Sequence, residues 1–265
     1  MKRNMAVAGS FYPVSSEEIN TMIDYFNTIL DSHPDIAARF NTLSGNAIIV
    51  PHAGWVYSGF TANIAFRILA HTHPKTVVVI GPSHKIGFEG VSICENKSYQ
   101  TPLGDLEIDT ALVNEIQQRF SLTMLNDAHY EHSTEVQMPF IKHYMSNVNV
   151  IEMVYAHADP LQISPIIEYF LNQPDTAVVI STDLSHYYGL DEAKKLDSIC
   201  LEAIKHENST MLHQGCEACG KIGVEAMLDV ANKRNMEAVL LDYRTSADAS
   251  GDSERVVGYA SALFR

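Results

Sequence analysis

Short β-branched runs separated by helical periodicity constrain this chain more than any other feature. Ala47-Ile-Ile-Val50, Thr76-Val-Val-Val-Ile80, Val148 to Val154 and Thr176-Ala-Val-Val-Ile180 offer little polar surface on either side. A strand apolar on both faces has to be covered on both faces, and such strands spaced by helices predict a largely parallel sheet between helical layers. The spacing predicts helices at about Gly59–Ala70, Asp109–Phe120, His132–Tyr144 and Leu161–Leu171, then at Asp191–His206 and Gly220–Arg234. An earlier helix opens at Ser15-Ser-Glu-Glu18, where a hydroxyl can cap and the acidic first turn suits the dipole. Ile19, Met22, Ile23, Phe26 and Leu30 continue it on one face. Ala238 to Tyr243 and Val256 to Leu263 read as an antiparallel finish. Among 265 residues there is no repeat, low-complexity tract or change of composition that would mark a linker. The expectation is a single α/β domain over 1–265.

Charge narrows the partners. Eighteen Lys and Arg stand against 32 Asp and Glu, a net charge of −14, which disfavours phosphate backbones and anionic lipid. No nucleic acid or membrane partner is therefore expected. Lys2 and Arg3 are followed by too few apolar residues for a secretory core, and no stretch approaches the ~18 apolar residues of a membrane span. Cys94, Cys200, Cys216 and Cys219 are too few and scattered for a secreted disulfide framework. A cytoplasmic location is the expectation.

The chemistry gathers where strands stop. Pro51-His52-Ala-Gly54 follows the first apolar run, Gly81-Pro-Ser-His84 the second, and Ser181-Thr-Asp183-Leu-Ser-His186 the fourth. Ligands of open α/β sheets bind beyond the carboxyl ends of strands, so His52, His84, Asp183 and His186 are expected on one rim. Each alone could be a cap or turn residue; three repeats of one placement favour a shared site. Asp127-Ala-His129-Tyr-Glu131-His132-Ser-Thr-Glu135 puts His132 and Glu135 on one helical face, although Ser133-Thr134 could equally be ordinary helix-start chemistry. Cys216-Glu-Ala-Cys219 is a lone C-x-x-C with no second ligand pair nearby, which argues against structural zinc. Cys219 precedes a helix start, where the dipole favours thiolate, or it is a small buried apolar residue. No phosphate-binding glycine loop and no nucleophile elbow are present.

Taken together, these residues resemble the Memo family, whose bacterial and archaeal members are also called AmmeMemoRadiSam system protein B. The resemblance rests on Ala8-Gly-Ser-Phe-Tyr-Pro13, Pro51-His-Ala-Gly54 with Tyr57-Ser-Gly59, Gly81-Pro-Ser-His84 and Thr101-Pro-Leu-Gly104. It continues through Glu131-His-Ser-Thr-Glu135, Ser181-Thr-Asp-Leu-Ser-His186 and Cys219-Gly-Lys-Ile-Gly223, in the family's order. It implies the α/β/α sandwich of class III extradiol dioxygenases, with one metal held by His52, His84 and Cys219. Cysteine where those dioxygenases carry a carboxylate softens the site toward copper or zinc without excluding iron; for the cofactor, iron or copper is favoured and zinc is possible. It further implies that Asp183 and His186 line the same cleft, His186 moving protons and Asp183 orienting, with Glu131, His132 and Glu135 on a second side. His132, Glu135, Asp183 and His186 are thus the candidate catalytic residues. Cys216 lies outside the motif, either incidental or a partner of Cys219 under oxidation. A bound metal and the helix start would make Cys219 a thiolate.

The resemblance does not carry a reaction with it, because ring cleavage depends on the missing carboxylate. Redox chemistry on a small molecule or peptide is the first expectation. A phosphopeptide- or protein-binding module and a zinc hydrolase are the alternatives. An AMMECR-type protein and a radical S-adenosylmethionine protein are the expected functional partners.

Overall fold

The computed structural model describes residues 1–265. In chain order its strands are β1 (Lys2–Arg3), β2 (Ala47–Val50), β3 (Thr76–Pro82), β4 (Gly90–Ile93), β5 (Ser98–Tyr99), β6 (Leu106–Glu107), β7 (Asn149–Ala156), β8 (Thr176–Ser181), β9 (His186–Tyr188), β10 (Ala238–Thr245) and β11 (Val256–Phe264). Its α-helices are α1 (Ser16–Asp31), α2 (Pro34–Asn41), α3 (Trp55–Leu69), α4 (Thr110–Phe120), α5 (His132–Glu135), α6 (Met138–Tyr144), α7 (Pro160–Leu171), α8 (Leu190–Lys205), α9 (Lys221–Arg234) and α10 (Ala247–Ser250).

One mixed sheet runs through the molecule in the order β1-β5-β6-β7-β3-β8-β2-β11-β10, with β4 on β7 and β9 on β11. Its centre is parallel: β7 pairs with β3, β3 with β8 and β8 with β2, all in the same direction. β11 and β10 then close one side in antiparallel fashion. Every residue of β2 and β8 is buried, as strands covered on both faces require. The expected α/β fold with a largely parallel sheet flanked by helices is what the chain adopts.

Several details depart from the sequence reading. The helix expected over His132–Tyr144 is broken at Val136–Gln137, with Pro139 in the first turn of the second piece. Proline there lacks the N–H that a continuing helix would use, so the chain restarts. Strands β1, β5 and β6, of two residues each, carry no periodicity and were not expected. Cys216 bonds to Cys200 on α8, not to Cys219, and Cys94 and Cys219 are free. Cys200 and Cys216 come to a Cα separation of 5.0 Å because the turn after α8 folds back on it, a long-range contact that no spacing rule reveals.

No helix is long and apolar enough to cross a membrane.

Candidate metal centre

β2, β8 and β3 are neighbours in the sheet, and they point the same way. The residues just past their carboxyl ends therefore meet. His52 follows β2, Asp183 follows β8 and His84 follows β3. The one-turn helix α5 brings His132 against the end of β3. One ring nitrogen from each of His52, His84 and His132 lies within 4.8 Å of the others.

Each imidazole is held by its Nδ1. The His52 ring is buried, and its Nδ1 meets Ser181 Oγ at 3.0 Å. Ser181 Oγ already donates its proton to the Ser133 carbonyl, so it accepts here and Nδ1 bears the hydrogen. His84 and His132 share one partner, the fully buried Glu131. Its Oε1 receives His84 Nδ1 at 3.2 Å and His132 Nδ1 at 2.7 Å. Burial pushes the Glu131 carboxyl up, but the hydrogen bonds from His132 and His84 outweigh it and hold the group well below the usual carboxylate range. An ionised Glu131 can only accept, so both rings donate from Nδ1 and leave Nε2 as the nitrogen turned to a ligand. This is how a protein fixes the tautomer of metal-binding histidines. Burial, followed by the neighbouring His84 and His132, pushes His52 well below its ordinary range, so it too is a neutral ligand.

Cys219 lies beside His52, outside the set of three rings whose nitrogens come within 4.8 Å of one another. Its Sγ lies 3.2 Å from His52 Nε2, and its backbone N–H donates to the Asp183 carbonyl at 3.2 Å. A Cβ at position 220 would lie 2.6 Å from the Thr182 Cβ, so only glycine lets the loop after Cys219 rest on the end of β8. Burial, then the Asp183 carboxylate, pushes the Cys219 thiol up to about 12. The helix start does not offset this. Expected as a thiolate, Cys219 becomes one only when a cation takes the proton's place.

The remaining candidates divide. Asp183 is buried, and its Oδ1 accepts the N–H groups of His52 (2.7 Å) and Ala53 (3.3 Å), so it holds the loop that presents His52. Burial raises its carboxyl above the ordinary value. His186 is half-buried and its Nδ1 donates to the Leu184 carbonyl at 2.8 Å, leaving Nε2 as the basic nitrogen. Glu135 belongs elsewhere. It is fully buried, and its oxygens accept from Arg3 Nη2, the N–H groups of Ala6 and Val7, and the Tyr12 hydroxyl, each at 2.8 Å. With its lone pairs used to anchor the N-terminal segment, it has no capacity left for the pocket expected of it. That segment does reach the site, because Phe11 packs against His132 in a tilted pair with ring centroids 4.6 Å apart.

Two concavities lie near. A pocket of 310 Å³ includes His84 and Cys219 in its lining, together with Lys85, Tyr155 and His157. A larger groove of 880 Å³ is lined by Phe11, Pro13, Met22, Tyr25 and Trp55 and has no imidazole, thiol or cation, so the chemistry belongs to the smaller one. Tyr155 went unnoticed in the sequence because it ends an apolar strand and has no motif of its own.

An α/β sheet that presents three imidazoles and a thiol beyond its parallel strands is the architecture of a candidate mononuclear metalloprotein. Residues 3–263 match the Memo-like protein family, and the chain belongs to that family. It is 34% identical to a MEMO1 family protein of Methanopyrus kandleri, over 100% of this chain and 99% of that one. It is 31% identical to MEMO1 family proteins of Metallosphaera sedula (100% and 99% covered) and Aquifex aeolicus (99% and 98%). An uncharacterized Escherichia coli K12 protein of known structure superposes with a TM-score of 0.53 over 83% of this chain and 99% of its own, at 9% identity, which speaks for the fold alone.

Proposed function

We propose that the protein is a metalloenzyme that holds one metal ion between His52, His84, His132 and Cys219 and carries out redox chemistry on a small molecule in the adjoining pocket. The observation behind this reading is the common arrangement of the three rings: each is fixed through Nδ1, which leaves Nε2 for a ligand, and the Nε2 of His52 faces the Cys219 thiol at 3.2 Å. His132, expected among the reacting groups, serves here as a third imidazole. Imidazole nitrogens suit iron, copper and zinc, and a thiolate adds preference for the softer ions. Iron or copper, once bound, would supply Lewis acidity and electron transfer.

The chain's own residues do the rest. Glu131 keeps His84 and His132 in one tautomer, and Asp183 fixes the backbone at His52. His186, outside the lining of that pocket, is oriented by its Nδ1 against the Leu184 carbonyl and is the group assigned to proton transfer.

Metal analysis and colour after anaerobic purification test the reading. One equivalent of iron or copper is expected, falling at least about tenfold in His52→Ala, His84→Ala and His132→Ala. His186→Ala should keep its metal. One equivalent of zinc would turn the reading toward hydrolysis by metal-bound water. Wild-type protein without metal, or unchanged content in all three variants, would sink it.

A further inference from the structure

The pocket of 310 Å³ beside His84 and Cys219 differs from the rest of this acidic molecule. In a chain of net charge −14, its lining of eleven residues includes no Asp or Glu. Lys85 supplies a cation, and His157 supplies an imidazole. Lys85 Nζ donates one hydrogen to the Tyr130 carbonyl at 3.0 Å and keeps two further donors. The His157 ring reaches toward the loop opposite, its Nε2 standing 3.6 Å from where a Cβ on Gly87 would be. His157 has a left-handed backbone (φ 40°), a conformation that costs a non-glycine residue energy and recurs at ligand-binding positions.

A buried hydroxyl points the same way. Tyr155 is 2% exposed and lines this pocket. Its oxygen accepts the N–H of Gly223, at the start of α9, at 3.2 Å, while its own O–H finds no acceptor in the protein. A buried donor left unmatched is costly, and at a pocket wall it reads as a donor kept for a ligand. Position 223 is glycine to suit: a Cβ there would lie 3.0 Å from the Tyr155 hydroxyl. Burial holds that hydroxyl well above the usual tyrosine range, so it keeps its proton.

We infer that this pocket is the substrate site of the proposed metal centre and takes a small organic anion, received by the Tyr155 O–H with the Lys85 ammonium and the His157 imidazole on its wall. The volume sits at the lower end for small-molecule sites, so the substrate is compact, about the size of one substituted ring. The inference rests on the metal-centre reading for its chemistry, but its geometry is independent of the ion.

Calorimetric titration of the purified full-length protein, as isolated and after metal removal, tests it with acetate, benzoate and inorganic phosphate as anions. Benzamide and benzylamine are the neutral and cationic counterparts of benzoate. Benzoate should bind at least about tenfold more tightly than either, since a hydrogen bond to a charged group contributes on that scale. Tyr155→Phe should lose about tenfold and Lys85→Gln less, both with unchanged metal content and thermal transition. The inference is overturned if no anion binds saturably, if benzamide or benzylamine binds as well as benzoate, or if both variants bind benzoate like wild type. The two readings fail separately. Selective benzoate binding by protein that never holds metal removes the metal centre and leaves the pocket, whereas metal-loaded protein indifferent to charge does the reverse.

Discussion

His52, His84 and His132 at the strand ends, and Cys94, His129 and Glu152 inside the fold, each bring three ligand-type atoms within 4.8 Å. Proximity is where the likeness stops. In the inner cluster all three residues are fully buried, and both nitrogens of His129 are engaged, Nδ1 with Glu152 Oε2 at 3.2 Å and Nε2 with Ser92 Oγ at 3.0 Å. Ser92 Oγ accepts the Leu125 N–H, so its own proton is available to His129 Nε2, and His129 Nδ1–H then donates to Glu152. Glu152 Oε1 further accepts the hydroxyls of Thr134 and Tyr99. Burial, then Glu152, pushes the Cys94 thiol up to about 12. Both ring nitrogens of the inner histidine are engaged, whereas at the strand ends Nε2 of His84 and His132 has no protein partner and Nε2 of His52 meets only the Cys219 thiol. Donor types near one another therefore do not define a metal site; donors left unmatched after the protein's own hydrogen bonds do.

The largest effect should come from the inner network, where Arg3 and Glu135 form an ion pair at 2.8 Å with both side chains essentially unexposed. Glu135→Ala leaves a buried guanidinium unpaired and removes the acceptor from two backbone N–H groups and a tyrosine. Urea unfolding should show a loss of about 3–5 kcal/mol. His84→Ala, on a loop with a side chain 32% exposed, should cost within about 0.5 kcal/mol by the same measurement. Equal costs at the two positions would break the distinction between a structural cluster and a site.

The second effect is on the metal. Glu131→Gln leaves one carbonyl oxygen where two carboxylate oxygens fixed His84 and His132, and its amide group offers only donors. Chelator competition should show an affinity about 10–100-fold weaker than wild type. An unchanged affinity would mean that the rings are placed without Glu131 and that their shared tautomer has no role.

How far each cluster could be read from the sequence follows from the range of the interactions. His52, His84 and Asp183 were legible because each follows a strand whose apolar run announces it, and adjacent parallel strands bring their ends together by rule. The largely parallel sheet was legible for the same reason. Cys219 entered through the family resemblance and not through its spacing. The pairing of Glu131 with both His84 and His132 was not legible, because it joins a strand end to a one-turn helix 47 residues on. Arg3 and Glu135 meet across 132 residues of sequence, and nothing local in a two-residue strand such as β1 foretells that. Local patterns report which face a residue takes; they do not report which distant group will meet it.

Acid should act on the inner cluster with a definite sign. Burial raises the Glu152 carboxyl, but His129, Arg3 and Thr134 outweigh it, so its folded pKa lies below the ordinary value. A carboxyl depressed on folding contributes stability above its unfolded pKa of about 4.3, and that contribution is lost as pH falls through the folded value. The stability gap between wild type and Glu152→Gln should therefore be level from neutral pH down to about pH 5 and narrow on further acidification. A gap that widened toward acid would show Glu152 to be protonated in the native state, and the inner network would lose its central acceptor.

The smallest effect is the sharpest test of the comparison. Cys94 and Cys219 are the two free cysteines, each in reach of imidazole or carboxylate, and each with its thiol pushed up to about 12. Only Cys219 meets an imidazole nitrogen directly, His52 Nε2 at 3.2 Å. Cys94 instead accepts from Asn96 Nδ2 at 3.4 Å beside a carboxylate already satisfied by its neighbours. Cys94→Ser should therefore cost about 1 kcal/mol through imperfect packing and leave the metal content as it is in wild type. Cys219→Ser replaces a soft donor with a weak one and should reduce copper or zinc retention while leaving stability nearly unchanged. Metal analysis of the two variants side by side decides the matter. If Cys94→Ser loses metal and Cys219→Ser keeps it, the ion belongs to the inner cluster, and the strand-end histidines need another explanation.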